Sequence, residues 1–182
     1  MSSVGDYNMD EVSLLIDLVS SNWSASATAL GPISGGGNGT ITSDHIGTPN
    51  FVDVRTLEKN RGVRYDLTAK DVIVFFEDNN NIEYNTIHYD VRNETYSFTM
   101  HIRTIHDERA GTDANFGKDR LRALYLILRH AIETSRRGYT ASDGSKFNQL
   151  FLGSRSESND RSKRLFGYKL NVEAKRFAVS IP

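Results

Sequence analysis

Cysteine is absent from the 182 residues. That removes disulfides, zinc-thiolate sites and thiol catalysis together, and it fits a reducing compartment. Long apolar runs are missing as well. The longest strongly apolar helical stretch, around Leu124 to Leu128, is far too short to cross a bilayer, and Met1–Met9 has neither a basic n-region nor an apolar h-region. The expectation is a soluble, unexported protein without a membrane partner. A third absence is the most informative: the first fifty residues contain no lysine or arginine, so their five acids stand alone at a net of −5. Residues 117–182 hold 14 bases against 6 acids, a net of +8, although the whole chain is close to neutral at −1. Opposite charge at the two ends of a chain can fold into internal salt bridges, or it can supply two complementary surfaces by which one copy docks on the next.

With 38% hydrophobic residues the chain can bury one sizeable core, and a single domain over 1–182 is expected. Val12, Leu15, Ile16 and Val19 mark an N-terminal amphipathic helix, widened by Leu14 and Leu18 and closed at Trp23. From 24 to 50 the composition turns to Gly, Ser, Thr and Ala around Gly35-Gly36-Gly37-Asn38-Gly39, which reads as a long flexible loop. No Gly-Lys-Ser/Thr follows these glycines, so they do not form a phosphate-cradling loop. Phe51–Arg55 and Asp71–Phe76 are strands, the second apolar on both faces, with Asn79-Asn80-Asn81 expected as the turn that ends it. Tyr96, Phe98, Met100 and Ile102 alternate with Ser97, Thr99, His101 and Arg103, one face core and the other polar. A second helix carries Leu121, Leu124, Tyr125, Leu128, Ala131 and Ile132 on one stripe, with Gly138 placed as a left-handed cap. Phe147–Leu152 follows, then a polar hairpin loop over 153–162, then a final strand. There Phe166, Tyr168, Leu170, Val172 and Ala174 alternate with polar residues until the phase slips and Phe177, Val179 and Ile181 become the apolar set. A bulge near Arg176-Phe177 is favoured over a last segment packed on another surface. The fold class is α+β: an antiparallel or mixed sheet packed against two helices, with long loops.

Chemistry is sparsely written. His88, His101 and His106 with Asp107, Glu108 and Asp113 are the one cluster that could hold a divalent metal. Their spacing matches no ligand motif, so a polar loop is the reading and neither metal nor cofactor is assigned. There is no nucleophile elbow, and no lysine follows the acids of Asp71–Asp78 at the spacing a strand-borne nuclease site needs, so no catalytic residue is assigned. Three N-x-S/T sequons, at Asn22, Asn38 and Asn93, match the roughly 2.4 that random placement gives and carry no weight. Arg122, Arg129 and Arg136 recur every seven residues along one side of the second helix, with Lys118 upstream. Such a row can follow phosphates, face solvent, or pair with an acidic neighbouring subunit; because the same chain supplies the acids, subunit pairing is the favoured specific reading.

The order of these parts is similar to that of a known family. A helix ending in Asn22-Trp23, a Gly-rich loop, Val52-Asp53-Val54-Arg55-Thr56, the Asp71–Phe75 strand, a long strand ending His101-Ile102-Arg103-Thr104, an Arg-rich helix and a terminal strand over Tyr168–Val179 resemble the tail-terminator and neck (head-tail joining) proteins of long-tailed viruses. The resemblance implies a virion protein without enzymatic activity that assembles in the host cytoplasm. It further implies a homo-oligomeric ring, usually hexameric, that ends the tail tube. The tail tube protein and head-tail connector proteins would be its partners, and DNA would be only cargo in the lumen. Another tail or connector component, a metal-dependent enzyme and a DNA-binding module are the alternatives. For a head-to-tail ring the candidate interface residues are Asp10 and Asp17 on the acidic side. Arg122, Arg129 and Arg136, or Lys163 and Arg164, stand on the basic side, with Phe177 and Val179 offering a strand edge.

Overall fold

The computed structural model describes residues 10–34, 40–41, 46–55, 71–84, 91–105, 116–159 and 165–179. Two helices, α1 (Glu11–Leu30) and α2 (Phe116–Thr134), pack on one face of a five-stranded sheet, and the architecture is α+β. The strands are β1 (Ile33–Ser34), β2 (Thr40–Ile41), β3 (Asn50–Asp53), β4 (Asp71–Tyr84), β5 (Val91–Ile105), β6 (Tyr139–Thr140), β7 (Lys146–Phe147), β8 (Gln149–Glu157) and β9 (Leu165–Val179). The main sheet has the order β3-β4-β5-β9-β8 and is mixed: β3 runs parallel to β4, and every other neighbour is antiparallel. β1 with β2 and β6 with β7 form two small ribbons.

The apolar stripes read from the sequence meet in one core. Leu14, Leu15, Leu18 and Val19 of α1 and Leu121, Leu124, Ile127, Leu128 and Ile132 of α2 lie against Ile73, Phe75, Phe98, Met100, Ile102, Leu170 and Val172, all essentially without solvent exposure. Period 3.6 on the helices and period 2 on the strands thus point to the same surface.

Several expectations need correction. Trp23 does not close α1, which continues seven residues further, to Leu30. Ala25, Ala27 and Ala29 are strong helix formers, Ser26 and Ala27 are buried, and the Thr28 hydroxyl donates back to the Ser24 carbonyl at 2.9 Å, so a small-residue segment that looks like linker completes a packed face. The stop is Gly31, at φ 61°, whose N–H donates to the Thr28 carbonyl, followed by Pro32. The supposed loop over 24–50 is therefore helix to Leu30 and then holds β1, β2 and the start of β3. Its Gly35–Gly39 centre lies outside the described residues.

The Asn79-Asn80-Asn81 cluster is not a turn. β4 runs through it to Tyr84 after a register shift between Glu77 and Asn79, with Asn80 opposite Tyr96. Bulged strands accept such residues where the ladder supplies the hydrogen bonds that Asn otherwise takes from its own backbone. Similarly, β8 continues to Glu157 through a shift between Leu152 and Arg155, so 153–157 of the expected 153–162 loop is strand, and 160–162 lie outside the described residues. The expected bulge at Arg176-Phe177 is absent: the β5–β9 ladder is unbroken from Ile105↔Leu165 to Val91↔Val179. Arg176 keeps the inward phase of Leu170, Val172 and Ala174, while Phe177 points outward and is exposed. Finally, α2 ends at Thr134, so Arg136 lies in the following turn, and Gly138 at φ 133° is positive without being left-handed helical.

Candidate functional site

The largest group of interacting charged side chains among the described residues lies where the N-terminus of α1 meets β3, β5 and β9. Asp10 caps α1, accepting from the Ser13 N–H at 2.9 Å and from its hydroxyl at 3.1 Å. Its carboxylate also takes the Arg55 guanidinium at 2.8 Å, and Arg55 grips Asp53 through Nε at 2.9 and 3.0 Å. One residue along, Glu11 meets Nη1 of Arg176 at 3.3 Å, and Glu94 lies 3.6 Å from the same atom. Arg176 is buried on the inner face and donates Nε to the Lys146 carbonyl; its guanidinium stands 5.3 Å from the Tyr96 ring centre, within cation–π range. The Tyr96 hydroxyl donates to Glu94 at 2.6 Å.

The electrostatics follow from these partners. Burial alone would raise the Asp10 carboxyl, but the Ser13 N–H and the Arg55 guanidinium outweigh it and hold it below its ordinary value. Asp53 is lowered chiefly by its hydrogen bond to Arg55, against burial. Arg55 is raised in turn by Asp53 and Asp10. Glu77, beside the same group, is raised by burial and then by the negative charge of Glu11. Burial followed by the bond to Glu94 pushes the Tyr96 hydroxyl up. Asp53, Arg55, Glu77 and Asp78 line a cleft of about 240 Å³. Asp53 is fixed there by the Arg55 guanidinium and backbone N–H, and Asp78 accepts the Thr99 hydroxyl.

The interface candidates are spread over the molecule. Asp10 is committed to Arg55 and the helix cap, and Asp17 accepts the Tyr139 hydroxyl at 2.6 Å. Arg122, Arg129 and Arg136 are all exposed, with Arg129 in an i,i+4 pair to Glu133 at 2.8 Å. Phe177 is exposed at the far end of β9, where its N–H donates to the Asn148 side chain, and Val179 pairs with Val91 in the β5 ladder. Lys163 and Arg164 lie outside the described residues, as do His88, His106, Asp107, Glu108 and Asp113. Among the described residues no group of three metal-ligating side chains comes together, and no helix is long and apolar enough to cross a membrane.

Sequence reasoning missed a second buried pair. Arg120, in the first turns of α2, forks onto Asp71 at the start of β4 at 2.6 and 2.8 Å, and the Thr104 hydroxyl adds a bond of 2.7 Å. Both charges are almost fully buried. Nothing in local spacing marks this pair, whereas Arg176 could have been found by continuing the period-two phase of β9 through it. No family model and no curated protein matches this chain.

Proposed function

We propose that this chain is a ring-forming structural subunit of a viral tail, a terminator or neck protein acting without enzymatic activity. The element order supports this reading, and so does the distribution of charge left over once the buried pairs are made. A closed ring needs two unlike surfaces on one chain. The α2 side presents exposed Arg122, Arg129 and Arg136, whereas β4 carries Asp71, Glu77, Asp78 and Glu83 with no base, and the last three are exposed. Asp10 and Asp17 are already engaged within the chain, so the acidic side of the interface passes from the N-terminal segment to β4. Light scattering and negative-stain imaging of purified protein and of assembled particles test the proposal. Wild-type protein should form closed rings and occur in particles. An Arg129→Glu chain should remain unassembled while melting normally, because Arg129 and its partner Glu133 are both exposed and an ion pair in solvent adds little to stability. A strict monomer missing from particles overturns the proposal. Unaltered assembly of the Arg129→Glu chain removes the charge pairing and leaves ring formation to other contacts.

A further inference from the structure

We infer that the sheet face turned away from the helices carries, at the β4 N-terminal end, a binding surface for the phosphate backbone of nucleic acid. It is built by Arg103, Lys169 and His101. The alternation along β5 and β9 puts Tyr96, Phe98, Met100 and Ile102 and, on β9, Tyr168, Leu170 and Val172 toward the helices. The intervening residues point the other way, onto a face against which no described helix packs. There His101 stands directly opposite Lys169. Arg103 lies two residues further along β5, opposite Gly167, which has no side chain to cover the guanidinium. Strand geometry sets these positions about 5 Å apart across the strands and about 7 Å along them. On the flanks are Val72 and Val74 of β4 and Ser156 of β8, none of them acidic.

The pairing on this face is one-sided. Its acids lie toward the opposite end: Glu173 meets Lys175 at 3.5 Å, Glu83 stands opposite Asn93, and Asp78 accepts the Thr99 hydroxyl while its charge partly offsets the bases at His101. Its two exposed bases at the other end, Arg103 and Lys169, have no ion pair among the described residues. Like charges placed across neighbouring strands repel, and the imidazole registers it: after burial, Arg103 and Lys169 are the groups that hold His101 below its ordinary value. An anion spanning the three positions relieves that repulsion. Both strands are interior to the sheet, so an acidic peptide finds no free backbone to pair with here, whereas a phosphate chain needs only cations, and a guanidinium can grip a phosphate with two bonds. The surface belongs to a single copy and does not depend on ring formation.

Two cations bind weakly on their own, so the test uses low salt and reads the salt dependence. A mixed-sequence DNA duplex of about 30 base pairs, titrated with full-length protein, should bind with a log–log salt slope of about −2, since each neutralised phosphate contributes about −0.9. Arg103→Ala with Lys169→Ala should lower affinity at least tenfold and flatten the slope toward zero. Both side chains are exposed, so the melting temperature should stay near wild type. Arg122→Ala with Arg129→Ala, equal in charge change but on α2, should leave binding within about twofold if the surface is local. Mass-spectrometric acetylation supplies a second readout, in which DNA protects Lys169 and leaves exposed Lys118 reactive. Absent binding by wild type at low salt overturns the inference. So does an equal loss in the α2 variant, or displacement of the DNA by polyglutamate at matched charge, which would assign the surface to an acidic protein.

Discussion

Arg120 and Asp71 tie α2 to the sheet from inside the molecule, and removing one partner leaves the other as an uncompensated buried charge. Arg120→Met should therefore destabilise the chain by about 3–5 kcal/mol, measured by urea denaturation. Replacing both residues with apolar ones of similar volume should recover much of that loss. Acid sensitivity belongs to the other charged group. Asp10 and Asp53 both titrate below the ordinary aspartate value of 3.8 when folded. The unfolded chain then binds protons first as pH falls, so their stabilisation is complete above 3.8 and is lost below it as pH drops through the folded values. In an Arg55→Met chain, denaturation midpoints should fall less steeply below that pH than in wild type. An unchanged slope would mean that Arg55 does not set these titrations.

At the scale of elements, β9 is the strand on which the sheet closes, held between β5 and β8 along most of its length. Gly167 is there for space. A Cβ at that position would lie 2.7 Å from the Ser158 carbonyl oxygen and 3.2 Å from that of Ile102, both backbone atoms that cannot swing aside. Gly167→Ala should thus cost about 1–3 kcal/mol through displaced strands, read as a lower melting temperature. A chain that melts like wild type would show that β8 yields there without cost. The same element explains why the phase of its apolar residues misleads. Arg176 occupies an inward position because Glu11, Glu94 and the Tyr96 ring are waiting for it, and Phe177 is outward because its neighbour is inward. Chemistry alone cannot distinguish that from a bulge.

For the whole molecule, charge separated along the chain is partly recombined by folding, since Arg55 and Arg176 reach the acids of the α1 N-terminus. What remains outside is a basic α2 side and an acidic β4 side. Exposed pairs of this kind steer encounter more than they hold a finished complex. For the proposed ring, raising salt should therefore slow assembly, followed by light scattering over time, more than it dissociates formed rings; equal sensitivity of the two would place charge at the centre of the interface. The amino-acid pattern by itself determined the α+β class, both helices and the inward face of β5, because helical and strand periodicities are local properties written in contiguous residues. Tertiary structure alone decided that 24–30 is helix, that the three asparagines are strand, and that Asp71 meets Arg120 and Glu11 meets Arg176. A short polar or small-residue segment takes the conformation its neighbours stabilise, and the partner of a buried charge is set by contacts between residues as much as 165 positions apart.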